Sequence, residues 1–363
     1  MNIIKAKDGS FSLEQLDARA ITSRDNEVRV FIVARNERTR MPYLLSYYRE
    51  KGINEFFMID DRSDDGTREY MLSQADCHVF HPSNSFKEAR AGVNWQNLLL
   101  DTYGIGHWTL VIDADELLVY PQCEKVSLPE FCRFLDSEGS TSFFAFMLDM
   151  YPDGDLTKGE CIAEKPFTEI CPLFDKDYKF REISTRTSSI EELPRVRVVG
   201  GPRIRKFYPW QYRTDFPSRA LAILIIKLAE KLTFWKGDKP HYAPALIKVP
   251  LVRWQQGCER LSNHVVTNPP GGRISSVTGV LLHFKFFADF HAKAKKEVAR
   301  NQHFGGSKEY RRYLNYIVRY PNFTFKYPGS REYKGSNSLL QERLINTNSK
   351  YDAWTHENFS EEN

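Results

Sequence analysis

The sequence has few of the features that mark a secreted or membrane-spanning chain. Its six cysteines are scattered without a Cys-x-x-Cys pair, which in a chain of 363 residues is typical of buried thiols and not of a disulfide framework. The first residues lack the apolar core of a signal peptide, and no run approaches the roughly 18 apolar residues that a membrane span needs. We therefore expect a cytoplasmic protein with free thiols.

An excess of charge of one sign is also missing. The chain carries 51 Lys and Arg against 47 Asp and Glu, a formal net charge of +4, and this balance argues against a nucleic-acid partner. Hydrophobic residues at 41% and charged residues at 27% indicate a soluble globular protein, long enough for one large or two modest domains. The 13% of aromatic residues is compatible with surfaces that stack on sugars.

One stretch, residues 108–118, combines a buried strand with a cluster of acids. The apolar run 108–112 ends abruptly in Asp113, Asp115 and Glu116. A buried strand cannot hold three carboxylates, so we expect them at its carboxyl end, where open α/β sheets bind ligands. In extended backbone Asp113 and Asp115 would share one face. Two converging carboxylates favour a bound Mg²⁺ or Mn²⁺ with a phosphate group.

Polar residues also follow the two strands predicted earlier in the chain. The apolar run 28–34 continues into the polar segment 35–37, and the run 55–59 continues into the acid-rich segment 60–67. Helical patterns separate the successive strands, which predicts right-handed βαβ units and a parallel sheet. Within the acid-rich segment we expect Asp64 and Asp65 to make turns and helix caps.

The second half of the chain has shorter strands and more turn-forming residues. Segment 195–205 predicts a hairpin with a Gly-Gly turn and one basic face. The basic residues of that face are Arg195, Arg197, Arg203 and Arg205. We favour a solvated outer face, and a diphosphate-binding face is the alternative.

Two helical segments are predicted toward the end of the chain. The amphipathic segment 221–235 is too short and too charged to span a bilayer. We favour its packing against the core; the alternative is an interfacial helix that gives peripheral contact with the inner face of the membrane. From about residue 290 the chain is helical and basic, and it ends in a polar tail.

Three motifs taken together resemble the nucleotide-sugar half of glycosyltransferase family 2, in its bacterial branch. They are Ala34-Arg-Asn-Glu37, Asp60-Asp-Arg-Ser-Asp-Asp-Gly-Thr67 and Asp113-Ala-Asp-Glu116, each after a predicted strand. The resemblance covers about residues 28–150 and is thinner beyond. It implies the GT-A fold, a Rossmann-type, mostly parallel α/β sheet flanked by helices. It also implies transfer of a sugar from a nucleoside diphosphate to an acceptor.

The resemblance also implies roles for individual residues. The residues that would bind the nucleotide-sugar are Arg35, Glu37, Asp60, Asp61 and Asp113. Asp60 or Asp61 would contact the base or ribose. Asp113 and Asp115 would form a DxD motif that holds Mn²⁺ or Mg²⁺ against the diphosphate, where the metal stabilises the charge of the departing group. Glu116 would orient the loop or support a ligand.

A late histidine, His283, lies in a strand predicted over 276–287. It resembles the histidine that completes the metal site in many GT-A enzymes, and neutral imidazole is a suitable ligand for Mn²⁺. A buried histidine satisfied by a backbone carbonyl is the alternative, and both interpretations stay open. Lys285 beside it would contact phosphate.

The catalytic base has no clear match in the motifs. Family 2 enzymes generally invert the anomeric configuration with a carboxylate that deprotonates the acceptor hydroxyl. The Glu-Asp pair that usually supplies this base is not recognisable here. The candidates are Asp149, at the end of the run 143–148, together with Glu259 and His264.

The predicted organisation follows from these assignments. We expect an N-terminal extension (1–27), a nucleotide-sugar-binding half (28–150), an irregular α+β acceptor-binding half (151–290) and a C-terminal helical region with a polar tail (291–363). The predicted activity is metal-dependent, inverting transfer of a sugar to a glycan or lipid-linked acceptor, in surface polysaccharide or glycolipid synthesis.

Two alternatives to a transferase are retained. The first is a non-catalytic sugar- or nucleotide-binding protein on the same scaffold. The second is a phosphatase of the haloacid dehalogenase type, which also ends a strand in Asp-x-Asp. That type expects Thr or Val soon after the second Asp, where this chain has Glu116.

Overall fold

The protein is described by a computed structural model that covers residues 2–24, 27–182, 192–193, 196–209, 243–267, 272–302 and 307–359. Its strands are β1 (Ile3–Lys5), β2 (Ser12–Gln15), β3 (Val28–Ala34), β4 (Phe56–Asp60), β5 (Cys77–Pro82), β6 (Trp108–Ile112), β7 (Glu116–Val119), β8 (Ser142–Asp149), β9 (Leu173–Asp175), β10 (Tyr178–Glu182), β11 (Glu192–Leu193), β12 (Val196–Gly200), β13 (Ile247–Arg253), β14 (Val266–Thr267), β15 (Ile274–His283) and β16 (Ser330–Glu332). Its helices are α1 (Met41–Glu50), α2 (Thr67–Leu72), α3 (Val93–Tyr103), α4 (Leu128–Ser137), α5 (Phe167–Ile170), α6 (Gly201–Phe207), α7 (Phe290–Arg300), α8 (Lys308–Arg319), α9 (Ser336–Gln341) and α10 (Ser349–Phe359).

A ten-stranded sheet forms the centre of the molecule, in the order β1-β2-β5-β4-β3-β6-β13-β8-β15-β7. β3 is parallel to both β4 and β6, and β4 is parallel to β5. β13 runs antiparallel between β6 and β8, and β15 is parallel to β8. Most strands therefore point the same way, and helices flank the sheet. The predicted α/β class with a mostly parallel sheet is confirmed.

Both faces of the sheet are buried, as the apolar runs of its strands require. Along β3, Val30 and Ile32 belong to the larger core cluster, together with Leu44 of α1. Phe31 points to the opposite face and packs in a second cluster with Trp95 of α3. The side-chain period of two in a strand thus gives each face its own hydrophobic core.

The order of the strands reverses direction at one point in the sheet. From β3 the chain moves through β4 to β5 on one side and then returns through α3 to β6 on the other side. Such a reversal is a topological switch point, where open α/β sheets bind ligands. The polar segments 35–37, 60–67 and 113–116 leave β3, β4 and β6 at this edge.

The hairpin predicted over 195–205 is wrong. β12 ends at Gly200 and α6 begins at the next residue, while the antiparallel partner of β12 is β10. A Cβ at Gly200 would lie 2.3 Å from the carbonyl oxygen of Asp177, so the glycine permits a close approach of two backbones. The Gly-Gly pair therefore joins a strand to a helix instead of closing a hairpin.

Other sequence expectations have mixed outcomes. The predicted N-terminal extension contains β1 and β2, which add to the central sheet. All six cysteines are free thiols, five of them buried and Cys161 half-buried. No helix in the described ranges has both the length and the apolar character for a bilayer crossing. The predicted helix 221–235, and with it the membrane contact, lies outside the described residues.

The packing of β15 between β7 and β8 generates a stability prediction. A Cβ at Gly279 would lie 2.5 Å from the carbonyl oxygen of Val119 and 2.8 Å from the Phe143 ring. We expect Gly279→Ala to lower the free energy of unfolding by about 1 to 3 kcal/mol, because the core must shift to admit one methyl group. Urea denaturation measures this loss.

The control is Ser276→Ala on the same strand, where the exposed side chain accepts one hydrogen bond from Asn348. Its cost should stay below about 1.5 kcal/mol. A Gly279→Ala protein as stable as the wild type would contradict the tight packing of this strand.

Candidate metal and donor site

The segment from Asp113 to Glu116 is a tight turn. The amide of Glu116 donates to the carbonyl of Asp113 at 3.2 Å, and the Glu116 carboxylate accepts from the Asp113 amide at 2.9 Å. The chain must reverse here, because β7 begins at Glu116 and pairs antiparallel with β15. The expectation that extended backbone presents Asp113 and Asp115 on one face is therefore wrong.

A buried lysine holds this turn. Lys248 is 1% exposed, and its Nζ lies 2.5 Å from Glu116 Oε2 and 3.5 Å from Asp113 Oδ2. It reaches the turn because β13 runs antiparallel beside β6. Burial would lower the pKa of Lys248, but Asp113 and then Glu116 outweigh it and raise the pKa, so the ammonium stays charged. The Asp113 carboxylate is still 43% exposed.

Asp115 faces His283 across the edge of the sheet. Its Oδ2 lies 3.7 Å from His283 Nε2, while its backbone carbonyl accepts from the amide of Phe284 at 2.8 Å. Burial would raise the pKa of Asp115, but electrostatic interactions with His283 first and then with Lys293 and Arg40 outweigh it and lower the pKa. Asp115 is thus an ionised carboxylate in a cationic environment.

Asp149 fixes the orientation of the histidine. His283 Nδ1 lies 2.6 Å from Asp149 Oδ1, a distance that requires a hydrogen between the two atoms. Arg203 Nη2 lies 3.1 Å from the same nitrogen but only donates, so we assign the Nδ1 hydrogen to the bond with Asp149. In neutral imidazole the other nitrogen, Nε2, then carries a lone pair directed toward Asp115.

An arginine holds Asp149 in its ionised form. Arg203 Nε donates to Asp149 Oδ2 at 3.0 Å, and its Nη2 also contacts Oδ1; both side chains are buried. Burial would raise the pKa of Asp149, but Arg203 and then His283 outweigh it and hold the pKa well below its usual range. Asp149 is therefore a permanent anion that orients His283.

The predicted donor residue Glu37 is joined to helix α7. Its carboxylate accepts from Lys293 Nζ at 2.7 and 2.8 Å and from Arg40 Nη1 at 3.1 Å. Arg40 also donates to both oxygens of Asp289, the residue before α7, at 2.8 and 3.0 Å. Glu37, Arg40, Asp289 and Lys293 thus alternate in sign within one cluster.

Asp60 and Asp61 also form ion pairs with cationic side chains. Asp60 is fully buried, and its Oδ2 lies 2.7 Å from Arg68 Nη2. Asp61 pairs with Arg300 at the end of α7, and its backbone carbonyl accepts from Arg35 Nη1 at 3.0 Å. The structure brings the predicted donor residues together at the carboxyl edge, but each carboxylate already has an internal partner.

The two remaining acids of that loop contact the segment that follows β3. Asp64 accepts from Asn36 Nδ2 at 2.7 Å. Asp65 accepts from the amides of Arg38 and Thr67 at 3.1 and 3.0 Å, at the start of α2. The N-cap residue of α2 is Gly66, so the prediction that Asp64 or Asp65 caps this helix is wrong. Asp65 instead accepts from the amide of the first helical residue, and both acids hold the segment that follows β3.

The three candidate bases occupy different environments. Asp149 is the buried anion described above. Glu259 lies at the surface, with its carboxylate 4.0 Å from Arg90. His264 contacts the carbonyl of Ile247 through Nδ1 at 2.9 Å, and burial lowers its pKa to about 4. The imidazole of His264 is therefore neutral at pH 7 and a weak base.

Asp115 and His283 supply two ligands suited to a divalent cation, and a bound phosphate would supply further ligands to the same cation. Within the described ranges, no group of three or more His, Cys, Asp or Glu side chains is arranged to hold a metal. Mg²⁺ usually takes one or two carboxylates and completes its shell with substrate phosphates and water. A histidine nitrogen fixed by a carboxylate on its other side is the usual arrangement of a metal-binding imidazole.

Two buried cations beside the candidate site, Arg203 and Lys248, were not predicted as partners of its acids. Arg203, assigned to a hairpin face, is instead buried against Asp149, so neither a solvated face nor a diphosphate-binding face describes it. Arg205 pairs with Asp175 at 2.8 Å, and Arg195 lies outside the described residues. For Lys248 the sequence did contain an indication, because a lone lysine in an apolar strand must pair with a buried anion.

Lys285, the predicted phosphate ligand, pairs with the carboxylate of Glu309, and this pair leads to a prediction of pH-dependent stability. Its Nζ lies 2.9 Å from Glu309 Oε1. Burial would raise the pKa of Glu309, but Lys285 outweighs it and the pKa falls from 4.5 to about 2. The pair therefore stabilises the fold above about pH 4.5, by on the order of 3 kcal/mol, and this contribution is lost as the pH falls toward 2.

We expect Glu309→Gln to destabilise the protein at pH 7 and to lose this disadvantage in acid, measured by urea denaturation between pH 7 and pH 3. The control Glu342→Gln removes a more exposed pair with Arg331 and should cost less than about 1 kcal/mol. An equal cost of Glu309→Gln at every pH would contradict the assignment.

Comparisons with known proteins do not assign the chain to a family. The chain matches no protein-family model, and no curated protein is significantly similar to it. The function is therefore inferred from the side chains at the carboxyl edge of the sheet.

Proposed function

We propose that the protein is a metal-dependent glycosyltransferase that moves a sugar from a nucleoside-diphosphate sugar to a glycan or lipid-linked acceptor. The observation that carries the proposal is the pairing of Asp115 with His283 Nε2, 3.7 Å apart, with Nδ1 of the histidine fixed by Asp149. The resemblance of the three motifs to glycosyltransferase family 2 supplies the reaction type. Surface polysaccharide or glycolipid synthesis, a cytoplasmic location and membrane contact stay predictions.

The strand order supports a nucleotide-binding sheet. β5, β4, β3 and β6 follow one another in the order 3-2-1-4 that begins the doubly wound nucleotide-binding fold. The three motifs leave β3, β4 and β6 at the switch point of this order. A GT-A-like fold and the division into donor and acceptor halves are proposed on this basis.

Each side chain of the site has a defined task in this proposal. Asp115 and His283 would hold Mn²⁺ or Mg²⁺, with Asp113 beside them. The cation would act as a Lewis acid toward the leaving nucleoside diphosphate. Asp149 orients His283 and is a positioning residue, not the base.

A non-catalytic nucleotide-binding protein is the second candidate. It is favoured by the environments of two of the three candidate bases, since Asp149 is a paired anion and His264 is a weak base. Turnover separates the two candidates: a transferase hydrolyses or transfers the sugar of a UDP- or GDP-sugar in the presence of Mn²⁺. Donor binding without turnover would support the binding protein.

Asp115→Asn tests the metal site. In the wild type, UDP or GDP at a hundred times its dissociation constant should stabilise the fold by about 2.7 kcal/mol with Mn²⁺ present. The variant should lose the Mn²⁺-dependent part of this gain, because the ionised ligand is gone. Thermal denaturation with and without Mn²⁺ measures both.

The matched control is Asp153→Asn, which removes an exposed carboxylate paired with Lys326 and should keep the Mn²⁺-dependent gain. If the wild type itself gained nothing from any nucleotide with Mn²⁺, the proposed function would be wrong.

Asp149→Asn tests the orientation of the histidine. The amide cannot keep the ionised hydrogen-bond acceptor that holds His283 Nδ1, so we expect a loss of roughly 10- to 100-fold in Mn²⁺ affinity. Isothermal titration calorimetry with MnCl₂ measures it.

Asp175→Asn is a close control, because Asp175 is also buried and also pairs with an arginine of α6, Arg205, but does not contact His283. Equal losses of affinity in the two variants would mean that Asp149 acts only through stability.

A further inference from the structure

Helix α7 lies against the side chains that the proposed function assigns to the donor. Lys293 bonds to Glu37, and Arg300 bonds to Asp61 and stacks over the Phe86 ring at 5.4 Å. The two ion pairs join residues more than 230 positions apart in the chain. The helix therefore closes the carboxyl edge at the ends of β3 and β4.

The two cations are spaced to act together. Lys293 and Arg300 are seven residues apart, which in an α-helix is about two turns on one face and roughly 10 Å along the axis. The other lysines of the helix, Lys295 and Lys296, are exposed. One face of α7 is thus electrostatically complementary to the carboxyl edge, while the opposite face is solvated.

The helix carries little apolar anchoring on this side. Within α7 only Phe290 and Ala294 are buried, and Phe290 packs on the rings of Phe286 and Tyr313. The contact with the edge is therefore mainly ionic.

Two cavities, of about 570 Å³ beside Tyr103 and about 470 Å³ beside Tyr316, are not lined by any residue assigned to the sugar donor.

We propose that α7 is an electrostatic latch over the donor site. The pairs Lys293–Glu37 and Arg300–Asp61 must open before the base or ribose of a nucleoside diphosphate can bind to those carboxylates. The inference rests on the proposed function, since it takes Glu37 and Asp61 as donor-binding residues. The apparent affinity for the donor is then the intrinsic affinity reduced by the fraction of molecules in which the latch is open.

Arg300→Gln is the variant that tests the latch. Asp61 keeps Arg35 at 3.9 Å and Arg62 at 3.2 Å as partners, so the fold retains its charge balance. With Mn²⁺ present, we expect UDP or GDP to bind Arg300→Gln roughly 5- to 30-fold more tightly than the wild type, measured by calorimetry. Lys296→Gln, with the same charge change on the exposed face of α7, should bind like the wild type.

Hydrogen exchange gives a second measurement that needs no turnover. Without nucleotide, the amides of residues 290–300 should exchange faster in Arg300→Gln than in Lys296→Gln. In the wild type, they should exchange faster after nucleotide and Mn²⁺ are added.

The outcomes separate this inference from the proposed function. If the wild type binds a nucleotide and Arg300→Gln binds it equally or more weakly, the latch is overturned, and weaker binding would make Arg300 a nucleotide ligand. If no nucleotide binds the wild type or Arg300→Gln, the proposed function fails and the latch over a donor site fails with it. Faster exchange in nucleotide-free Arg300→Gln would then report only a structural ion pair.

Discussion

One buried carboxylate holds together the elements that meet at the candidate site. Asp149, at the end of β8, pairs with Arg203 of α6 and bonds to His283 at the end of β15, directly across the parallel register. Removing it would leave the Arg203 charge buried without compensation, which is among the most costly changes in a protein interior. The orientation of His283 toward Asp115 depends on this bond.

The same rule of paired charges governs the whole carboxyl edge. Glu116 is matched by Lys248, Glu37 by Lys293 and Arg40, and Asp61 by Arg300. Such an edge is electrically satisfied without a ligand, so a nucleotide must compete with internal cations for these carboxylates. This competition relates ligand affinity to the position of α7, since the helix supplies two of the cations.

Much of the sheet could be predicted from local sequence. The strands at 28–34 and 108–112 have the predicted limits, because an apolar run that ends in charged residues has few other structures available. Their parallel arrangement followed from the alternation with helices. The hairpin predicted at the Gly-Gly pair of 200–201 was wrong, because the use of this pair as a strand-to-helix junction depends on the close approach of Asp177.

The sequence by itself determined which polar residues leave the sheet at one edge, because hydrophobic periodicity and chain order are local properties. Only the tertiary structure decided how those residues are used. It paired Asp61 with Arg300 and Asp149 with Arg203, across long stretches of chain, and it turned His283 toward Asp115. No periodic pattern encodes such pairs, since they arise when packed elements bring distant charges into one low-dielectric space.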